Sequence, residues 1–530
     1  MNLGSARGLS LRGLDAIEVV VEAVLLSGLP GFSIVGLADT AVSEARERLR
    51  ASFAAIGVPW PNRRLTVNLS PADTAKTGTG FDLAIAAAIL EAMGLHTVSR
   101  SCAMIGELGL DGSVRPVHGV LPCVLAAAQL GISEILVPAA NEVEAKLVPG
   151  IRVIPIAHIA QLARFMGATE VQEAHVLGEL AEAGQRSTES GARADIAAIL
   201  GDRDLESLEL SDVRGQDEAV WALQVAAVGM HHVQLVGPPG VGKSMLARRF
   251  PALLPPLGAK QAVQVAAIRS MLGLSVAQLP KHRPFAAPHH TASMPAIIGG
   301  GAGIARPGAI TAAHLGVLFM DEFPEFSTSV IQALREPMET GWVDLRRAKS
   351  HVRYPARFQL FAAANPCRCG KAFDPGGACT CTPRELMTYR SKLGGPVRDR
   401  LDIRLALYRP RKVELAKPGI VSTQQAQSAI AQGMDRSVRR AHKELVDVSE
   451  FGPIPNAQLP SAWLKEHTPV SDELQEVFNH RLALGQISMR GVDRILRLAW
   501  SVADLGGHDL PSSDDIYTAF TLRGLEDNDG

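Results

Sequence analysis

The stretch VQLVGPPGVGKS, residues 233–244, decides the fold of the central part of the chain. An apolar run rich in β-branched residues, Val233–Val236, leads into a glycine-rich turn, and a helix-compatible segment, Met245–Phe250, follows at once. The turn satisfies the pattern G-x-x-x-x-G-K-[S/T], in which backbone N–H groups and a helix N-terminus surround phosphate groups. It therefore predicts a nucleotide-binding P-loop made of Gly237, Pro238, Pro239, Gly240, Val241, Gly242, Lys243 and Ser244.

Two acidic residues later in the chain complete the expected ATP site. Lys243 is predicted to reach the β- and γ-phosphates, and Ser244 to bind Mg²⁺. The run VLFMD, Val317–Asp321, predicts a buried parallel strand that delivers carboxylates at its C-terminal end. Asp321 is the expected second Mg²⁺ ligand, and Glu322 the residue that polarises the attacking water.

Another buried strand supplies a further polar residue. The run FQLFAAAN, Phe358–Asn365, is mostly apolar and ends in an amide. Polar groups at the carboxyl ends of neighbouring parallel strands meet at the ligand site. Asn365 is therefore expected to orient the water or contact the γ-phosphate, as a sensor-1 residue does. The alternative is an asparagine that caps a turn before Pro366.

Composition and charge narrow the classes of function. The 530 residues suggest about two to four domains. The net charge of −1 and the aromatic content of 5% argue against a broad polyanion-binding or base-stacking surface, so a nucleic-acid site must be a local patch. No apolar stretch reaches the roughly 18 residues of a membrane span, and the N-terminus has no signal-peptide pattern. We therefore expect a cytoplasmic protein that does not contact membranes.

A local basic patch lies between Leu334 and Phe358. Gly341 separates an acidic helical segment from two strand-like runs, which predicts a β-hairpin. Its tip region carries basic residues with no acid among them: Arg346, Arg347, Lys349, Arg353 and Arg357. The first four of these are the candidate DNA contacts, since such a patch in a pore would hold a phosphate backbone. The alternative is a solvated, charged hairpin.

Four of the six cysteines cluster directly after Asn365, with the spacing C-x-C, nine residues, C-x-C: Cys367, Cys369, Cys379 and Cys381. Four soft ligands in a reducing compartment predict a structural, tetrahedral Zn²⁺ site that leaves no position for water. Because C-x-C is less usual than C-x-x-C, four free thiols are the alternative. Cys102 and Cys123 lie in apolar surroundings and are expected to be buried thiols.

These motifs resemble those of the ComM/YifB family of magnesium-chelatase-like AAA+ ATPases. The matching segments are GPPGVGKS (237–244), FAAPHHTAS (285–293), LFMDE (318–322), AAANPC (362–367), PVRDRLD (396–402) and SMRGVDRILRLA (488–499). The resemblance implies that Arg400 is an arginine finger that acts in trans on a neighbour's ATP, with Arg398 as a weaker candidate and a surface arginine as the alternative for both. It further implies that Arg490 is a sensor-2 arginine on a lid helix. It also implies a pore-facing insert, in which five glycines between Gly299 and Gly308 predict that no regular element forms.

The N-terminal part resembles the Lon-protease-like domain, of the ribosomal S5 type, found in the same family. The matching segments are GFSIVGLAD (31–39), GFDLAIAAAIL (80–90) and GELGLDGSVRPVHGVLP (106–122). A Lon protease needs a serine nucleophile and a lysine that activates it. Neither 76–83 nor 117–123 offers a serine or a lysine at the place of that dyad, so we expect no proteolysis.

We therefore expect an α/β multidomain protein with four segments. These are a Lon-like α+β domain (1–170), a linker (171–205), an AAA+ core with a parallel sheet (206–410) and a helical lid (411–530). The resemblance implies an ATP- and Mg²⁺-dependent homo-oligomer, a hexameric ring that acts on single-stranded or branched DNA, as in branch migration during recombination or natural transformation. A chelatase-type motor that remodels a protein partner is the alternative.

Overall fold

The computed structural model describes residues 2–36, 44–71, 80–99, 101–169, 171, 199–200, 205, 208–301, 305–347, 350–373, 379–393, 397–416, 419–444 and 454–524. Its strands are β1 (Asn2–Arg12), β2 (Asp15–Leu26), β3 (Gly31–Val35), β4 (Arg64–Ser70), β5 (Cys102–Met104), β6 (Glu107–Leu108), β7 (Val114–Arg115), β8 (Glu134–Pro138), β9 (Arg152–Ile156), β10 (Val233–Val236), β11 (Phe285–Ala286), β12 (Gly299–Gly300), β13 (Arg306–Pro307), β14 (Val317–Met320), β15 (Trp342–Arg347), β16 (Ser350–Pro355), β17 (Gln359–Ala364) and β18 (Ile403–Ala406). Its α-helices are α1 (Ala45–Ala55), α2 (Asp82–Ala92), α3 (Val120–Gln129), α4 (Glu142–Ala145), α5 (Ile159–Phe165), α6 (Asp217–Gly229), α7 (Lys243–Leu253), α8 (Ala259–Met271), α9 (Met294–Ile298), α10 (Ala309–Ala312), α11 (Thr328–Ala333), α12 (Arg335–Thr340), α13 (Pro383–Leu393), α14 (Lys412–Leu415), α15 (Thr423–Glu444), α16 (Ser461–His467), α17 (Asp472–Ala483), α18 (Met489–Gly506) and α19 (Ser513–Leu522).

The N-terminal part is a mixed, seven-stranded sheet in the order β3-β4-β2-β1-β5-β8-β9. Its helix α2, DLAIAAAILEA, is apolar on nearly every side because almost all of it is buried beside this sheet. The first residues show no strand pattern in the sequence, yet β1 pairs antiparallel with β2 from Asn2↔Leu25 to Arg12↔Asp15. Glycines and serines weaken the alternating apolar pattern of β1, which is why the pattern did not reveal it.

The central part is a five-stranded, all-parallel sheet in the order β11-β14-β17-β10-β18. Strand β10 lies between β17 and β18, the fourth and fifth strands of this sheet in chain order. The chain order therefore reverses at β10, and in open parallel sheets ligands bind at the carboxyl end of such a switch point. The expected strands within 233–236, 317–321 and 358–365 are confirmed and span 233–236, 317–320 and 359–364.

The C-terminal helices pack on this core, as the helical periodicity predicts. Helix α18 begins at Ser488, whose Oγ accepts a hydrogen bond from Gly491 N at 3.2 Å, and ends at Gly507 in the left-handed region. Its apolar face, including Ile495, Leu498 and Trp500, belongs to the same buried cluster as α6 and β10. Among the described residues, no helix is both long and apolar enough to cross a lipid bilayer.

The N-terminal and central parts touch through α3 and α8. Gly119 N donates to Ser270 O at 3.0 Å, and Leu121 N donates to Ser270 Oγ at 3.3 Å. The turn between β1 and β2 approaches the β15–β16 hairpin, because a Cβ added to Gly13 would lie 2.9 Å from Arg353 O. The N-terminal part therefore rests against both a helix of the central part and its β15–β16 hairpin.

The glycine-rich insert corrects one expectation. The sequence analysis expects no regular element between Gly299 and Gly308, but β12 and β13 form a two-residue antiparallel ladder there. Glycine enables this ladder rather than preventing it: a Cβ on Gly308 would lie 2.5 Å from Gly299 N and from Ile297 O. Most of the expected linker, 171–205, lies outside the described residues.

Candidate functional site

The glycine-rich loop after β10 forms a narrow turn that opens onto the N-terminus of α7. Gly240 and Gly242 have φ angles of 76° and 103°, in the left-handed region that glycine adopts without strain. Gly237 lies so close to β18 that an added Cβ would be 2.7 Å from Leu407 O. The loop therefore needs glycine at these positions, and the helix N-terminus beside it favours an anion.

Lys243 joins this loop to the end of β17. Its side chain is buried, and Nζ donates to Gly237 O at 2.6 Å, to Pro238 O at 3.0 Å and to Asn365 Oδ1 at 3.0 Å. Burial lowers the pKa of Lys243, while the nearby carboxylates of Asp321 and Glu322 oppose that shift. The structure thus brings Lys243 and Asn365 together, in agreement with their expected proximity at neighbouring strand ends.

Ser244 and Asp321 meet at the same edge of the sheet. Ser244 Oγ donates to Asp321 Oδ2 at 2.9 Å, and Asp321 Oδ1 accepts from Glu322 N at 2.9 Å. A hydroxyl and a carboxylate at this spacing suit Mg²⁺, which takes oxygen ligands and keeps several waters. The donor set therefore fits the metal that the sequence predicts, with the remaining positions open to phosphate oxygens.

Glu322 is held in an unusual backbone conformation. Its φ is 50° and its ψ 43°, a left-handed conformation that costs a non-glycine residue of the order of 1–3 kcal/mol. The side chain is 52% exposed, and Oε2 lies 3.1 Å from His290 Nδ1. Sequence reasoning did not assign a role to His290, although the His289-His290 pair in the insert was the available signal. A carboxylate in contact with an imidazole can position a water.

Helix α13 packs beside this edge of the sheet. Burial raises the pKa of Tyr389 to about 12, while the backbone N–H of Asn365 favours its ionised form. Lys392 Nζ donates to Pro324 O at 3.0 Å, two residues after Glu322. Sequence reasoning missed both contacts, because they depend on how a distant helix docks.

Arg400 lies where the strands of the sheet begin, whereas the P-loop of its own chain lies where they end. It ends a short 3₁₀ turn just before β18, whose residues Ile403–Ala406 pair in register with Val233–Val236. The P-loop begins after Val236, so the length of these strands, roughly 13 Å, separates the two. Within the chain, Arg400 is 7% exposed and forms an ion pair with Glu339, whose side chain is half exposed.

A buried polar network surrounds the segment after Arg400. Arg494 Nη1 donates to Asp402 Oδ1 at 2.5 Å and to Arg400 O at 3.2 Å. His231 Nδ1 lies 3.3 Å from Asp402 Oδ2, and His231 Nε2 lies 2.7 Å from Ser501 Oγ. Burial alone would raise the pKa of Asp402, but Arg494 and His231 lower it well below its ordinary value.

Ser501, His231 and Asp402 contact one another in the order of a hydrolase triad, but the serine is not accessible to a substrate. The three residues are 0%, 0% and 1% exposed, so no substrate reaches the serine. The network instead ties α18 to the start of β18. Arg490, one helical turn before Arg494 on α18, is exposed. The structure therefore places the helix of the predicted sensor-2 arginine beside the segment of Arg400.

The basic hairpin forms as expected, with Arg346 paired to His351 and Asp344 to Arg353 across β15 and β16. Arg346 is exposed, and the Arg353 guanidinium lies 4.5 Å from the centre of the Trp342 ring. Asp344 partly neutralises the patch, because its Oδ1 lies 3.6 Å from Arg353 Nε. Sequence reasoning saw no acid at the tip, and the register supplies this one from the partner strand. Lys349 and the side chain of Arg347 lie outside the described residues.

The four clustered cysteines converge. All four Sγ atoms lie within 4.8 Å of one another: Cys367, Cys369, Cys379 and Cys381. Thiolate is the form that binds metal, so this cluster could hold a soft divalent ion such as Zn²⁺. Cys102 and Cys123 are buried thiols, as expected.

Comparison with known protein families covers most of the chain. Residues 209–415 match the model described as magnesium chelatase, subunit ChlI. Residues 21–141 match a model for subunit ChlI of Mg-chelatase, and residues 421–523 match the ChlI C-terminal model. The model over 209–415 includes the P-loop, the cysteine cluster and Asp402. The model over 421–523 includes Arg494 and Ser501 of the network around Asp402.

Three relatives align over almost their full lengths. An uncharacterized protein of Mycobacterium tuberculosis is 41% identical over 527 residues, 99% of each chain. The uncharacterized protein YifB of Escherichia coli is 34% identical over 532 residues, and the competence protein ComM of Haemophilus influenzae is 34% identical over 535 residues; both alignments cover 99% of this chain and 98% of the relative. A partial match, 32% over 148 residues, is Lon protease 1 of Sorangium cellulosum, of which it covers 18%.

Proposed function

Because the chain belongs to the ComM/YifB family of magnesium-chelatase-like AAA+ ATPases, we propose that it is a hexameric ring motor that couples ATP hydrolysis to movement along DNA in the cytoplasm. The observation that carries the proposal is the convergence of Lys243, Asn365, Ser244 and Asp321 at one edge of a parallel sheet. Phosphoryl transfer depends almost entirely on positioning and electrostatic stabilisation, which these residues supply.

Each residue at this edge has a task in ATP hydrolysis. The ammonium group of Lys243 stabilises negative charge on the β- and γ-phosphates, and Asn365 keeps that group aligned. Ser244 and Asp321 would hold Mg²⁺, which neutralises charge on the phosphate oxygens when bound. Glu322, placed by its left-handed backbone and by His290, orients the attacking water.

The position of Arg400 supports a ring. It cannot reach the ATP of its own chain across the length of β18, so its guanidinium would act on the ATP of a neighbour. A contact between the strand-end edge of one copy and the strand-start edge of the next is heterologous, and such contacts form a ring when the rotation between copies closes. To act there, Arg400 must exchange Glu339 for phosphate oxygens.

The basic hairpin is the proposed grip on DNA. Arg346 is exposed on a strand that projects beside the glycine-rich insert, where a Cβ added to Gly299 would lie 3.2 Å from Leu345. Arginines that contact phosphates bind with little sequence preference and with a steep salt dependence. The full-length similarity to a competence protein favours DNA as the polymer on which the ring acts.

The test compares ATP hydrolysis by the full-length protein with and without single-stranded and branched DNA. DNA should raise the rate, and Arg346→Ala should reduce that stimulation and lower the slope of log affinity against log salt by about one. Arg335→Ala, an exposed arginine on α12, is the matched control and should keep both. Lys243→Ala should hydrolyse no ATP under any condition. A rate that no DNA changes would contradict the DNA proposal and favour the protein-remodelling alternative.

The N-terminal part gives that alternative its one supporting observation. It rests on α8 through Ser270 and on the hairpin through Gly13, so a protein bound to it could be coupled to the motor. We propose that this Lon-like part does not cleave proteins. Cleavage of casein that stops in the Lys243→Ala variant would show instead that the chain is an ATP-dependent protease.

A further inference from the structure

The cysteine cluster has the dimensions of a loaded metal site. The Sγ–Sγ distances are 3.3 Å for Cys367–Cys369, 3.6 Å for Cys369–Cys379 and 3.7 Å for Cys367–Cys379. Four thiolates at about 2.3 Å from one Zn²⁺ in a tetrahedron lie about 3.8 Å apart. Disulfide bonds would need sulfurs about 2.05 Å apart, and all four cysteines are free. The arrangement therefore suits one shared ion rather than covalent pairs.

The first cysteine pair is in contact with two loops of the nucleotide site. Cys367 follows Asn365 by two residues, at the end of β17. Gly370, with a φ of 77°, turns the chain so closely over the P-loop that an added Cβ would lie 2.8 Å from Pro239 Cδ. Movement of this pair would therefore move both Asn365 and the loop that surrounds Lys243.

The second cysteine pair is linked by α13 to a third loop, the segment after β14. Cys381 immediately precedes Thr382, which caps the helix: Thr382 Oγ1 donates to Glu385 Oε2 at 3.0 Å and accepts from Glu385 N at 3.3 Å. At the other end of α13, Lys392 donates to Pro324 O, just after Glu322. The four sulfurs thus lie beside the P-loop and the end of β17, and α13 links them to the segment after β14.

We propose that the four cysteines bind one zinc-class divalent ion and that this ion holds the three loops in the geometry that hydrolyses ATP. The second half of this inference rests on the proposed ATPase function; the metal site does not. Thiols bond only weakly to one another, and nine residues separate the two pairs in the sequence. A shared ion would therefore be a strong link between the pairs, as structural zinc is in small domains.

The experiment measures metal content, nucleotide affinity and ATP hydrolysis in the full-length protein. The unmodified protein, purified from cells grown with zinc, should hold about one zinc per chain by elemental analysis. Cobalt(II) in place of zinc should show the intense visible absorption of a tetrahedral thiolate site. Cys379→Ser should lose the ion and should hydrolyse ATP about tenfold to a hundredfold more slowly. Cys102→Ala, a buried cysteine in β5, is the matched control and should keep ion and rate.

A chelator arm separates this role from misfolding. Removal of the ion from the folded, unmodified protein should lower the rate and weaken binding of a fluorescent ATP analogue, and added Zn²⁺ should restore both. A protein that neither contains nor takes up zinc or cobalt overturns the metal site. Loss of the ion with unchanged nucleotide affinity and rate overturns the coupling. An ion-loaded protein that binds the analogue but never hydrolyses ATP contradicts the proposed function, while its metal site and its metal-dependent affinity stand.

Discussion

The five-stranded sheet has a carboxyl edge, where its parallel strands end, and an amino edge, where they begin. The two differ in the partners of their charged groups. At the carboxyl edge, Ser244 bonds to Asp321, Asp321 also accepts from the backbone N–H of Glu322, and the Glu322 side chain is half exposed. At the amino edge, Arg400 and Asp402 are buried: Arg400 pairs with Glu339, and Asp402 pairs with Arg494 and His231. Under the proposed function, one edge receives an anion with its metal, and the other presents the cation of Arg400 to a neighbouring copy.

This difference indicates how one chain can carry two incomplete halves of a site. A cation that acts on another molecule must not form an ion pair with the catalytic carboxylates of its own chain. The length of the strands separates Arg400 from Asp321 and Glu322. The cation must also keep its position while unoccupied, which the buried contacts of Asp402 and Arg494 provide. In the proposed ring, the two edges would therefore act on each other only across a subunit contact.

The largest expected effect comes from removing the cation of the amino edge. Arg400→Ala should lower kcat by about 10³-fold, because an arginine finger stabilises charge that develops in the transition state. Affinity for a fluorescent ATP analogue should stay near that of the unmodified protein, since the carboxyl edge is intact. Phosphate release and nucleotide titration measure the two quantities separately.

Mixing subunits shows whether the edges act on each other across chains. Arg400→Ala and Lys243→Ala are each inactive alone, but mixed rings contain places where an intact P-loop faces an intact Arg400. Activity should therefore return on mixing. Arg398→Ala, an exposed neighbour in the same turn, is the control and should remain active. If Arg400→Ala keeps its rate, or if mixing restores nothing, the two-edge arrangement is wrong.

The sequence predicts the carboxyl edge far better than the amino edge. The motif in 233–244 and the apolar runs before Asp321 and Asn365 are contiguous, and parallel strands align their ends without any further information. The ion pair of Arg400 with Glu339 and the bond of Arg494 to Asp402 join residues far apart in the chain. They arise from how α18 and α12 dock, which no local pattern records.

The second expected effect tests whether Arg494 positions Arg400. Arg494→Ala should reduce kcat by about tenfold to a hundredfold, because it releases the backbone carbonyl of Arg400. It should also lower the melting temperature, since Asp402 loses the cation that compensates its burial. The double variant Arg494→Ala/Asp402→Asn should regain melting temperature but not kcat. Recovery of both would mean that Arg494 serves stability alone.

The smallest expected effect is a dependence of stability on pH that belongs to the amino edge. The pKa of His232 is lowered to about 4, chiefly by burial and also by Arg494 and His231, while the charge of Asp402 opposes the shift. Between its ordinary pKa of about 6.5 and about 4, the unfolded chain binds a proton on this imidazole that the folded chain does not. Stability should therefore fall as pH decreases through that window and should lose nothing more from His232 below it.

The slope of unfolding free energy against pH identifies the residue. His232 Nδ1 accepts a hydrogen bond from Leu360 N at 3.0 Å, and asparagine can accept in its place. His232→Asn should therefore fold and should reduce the slope by about 1.4 kcal/mol per pH unit, the contribution of one proton. His480→Asn, an exposed histidine on α17, should leave the slope as it was. Equal slopes in all three proteins would show that acid does not act through the amino edge, and that this edge is no more sensitive to acid than the rest of the molecule.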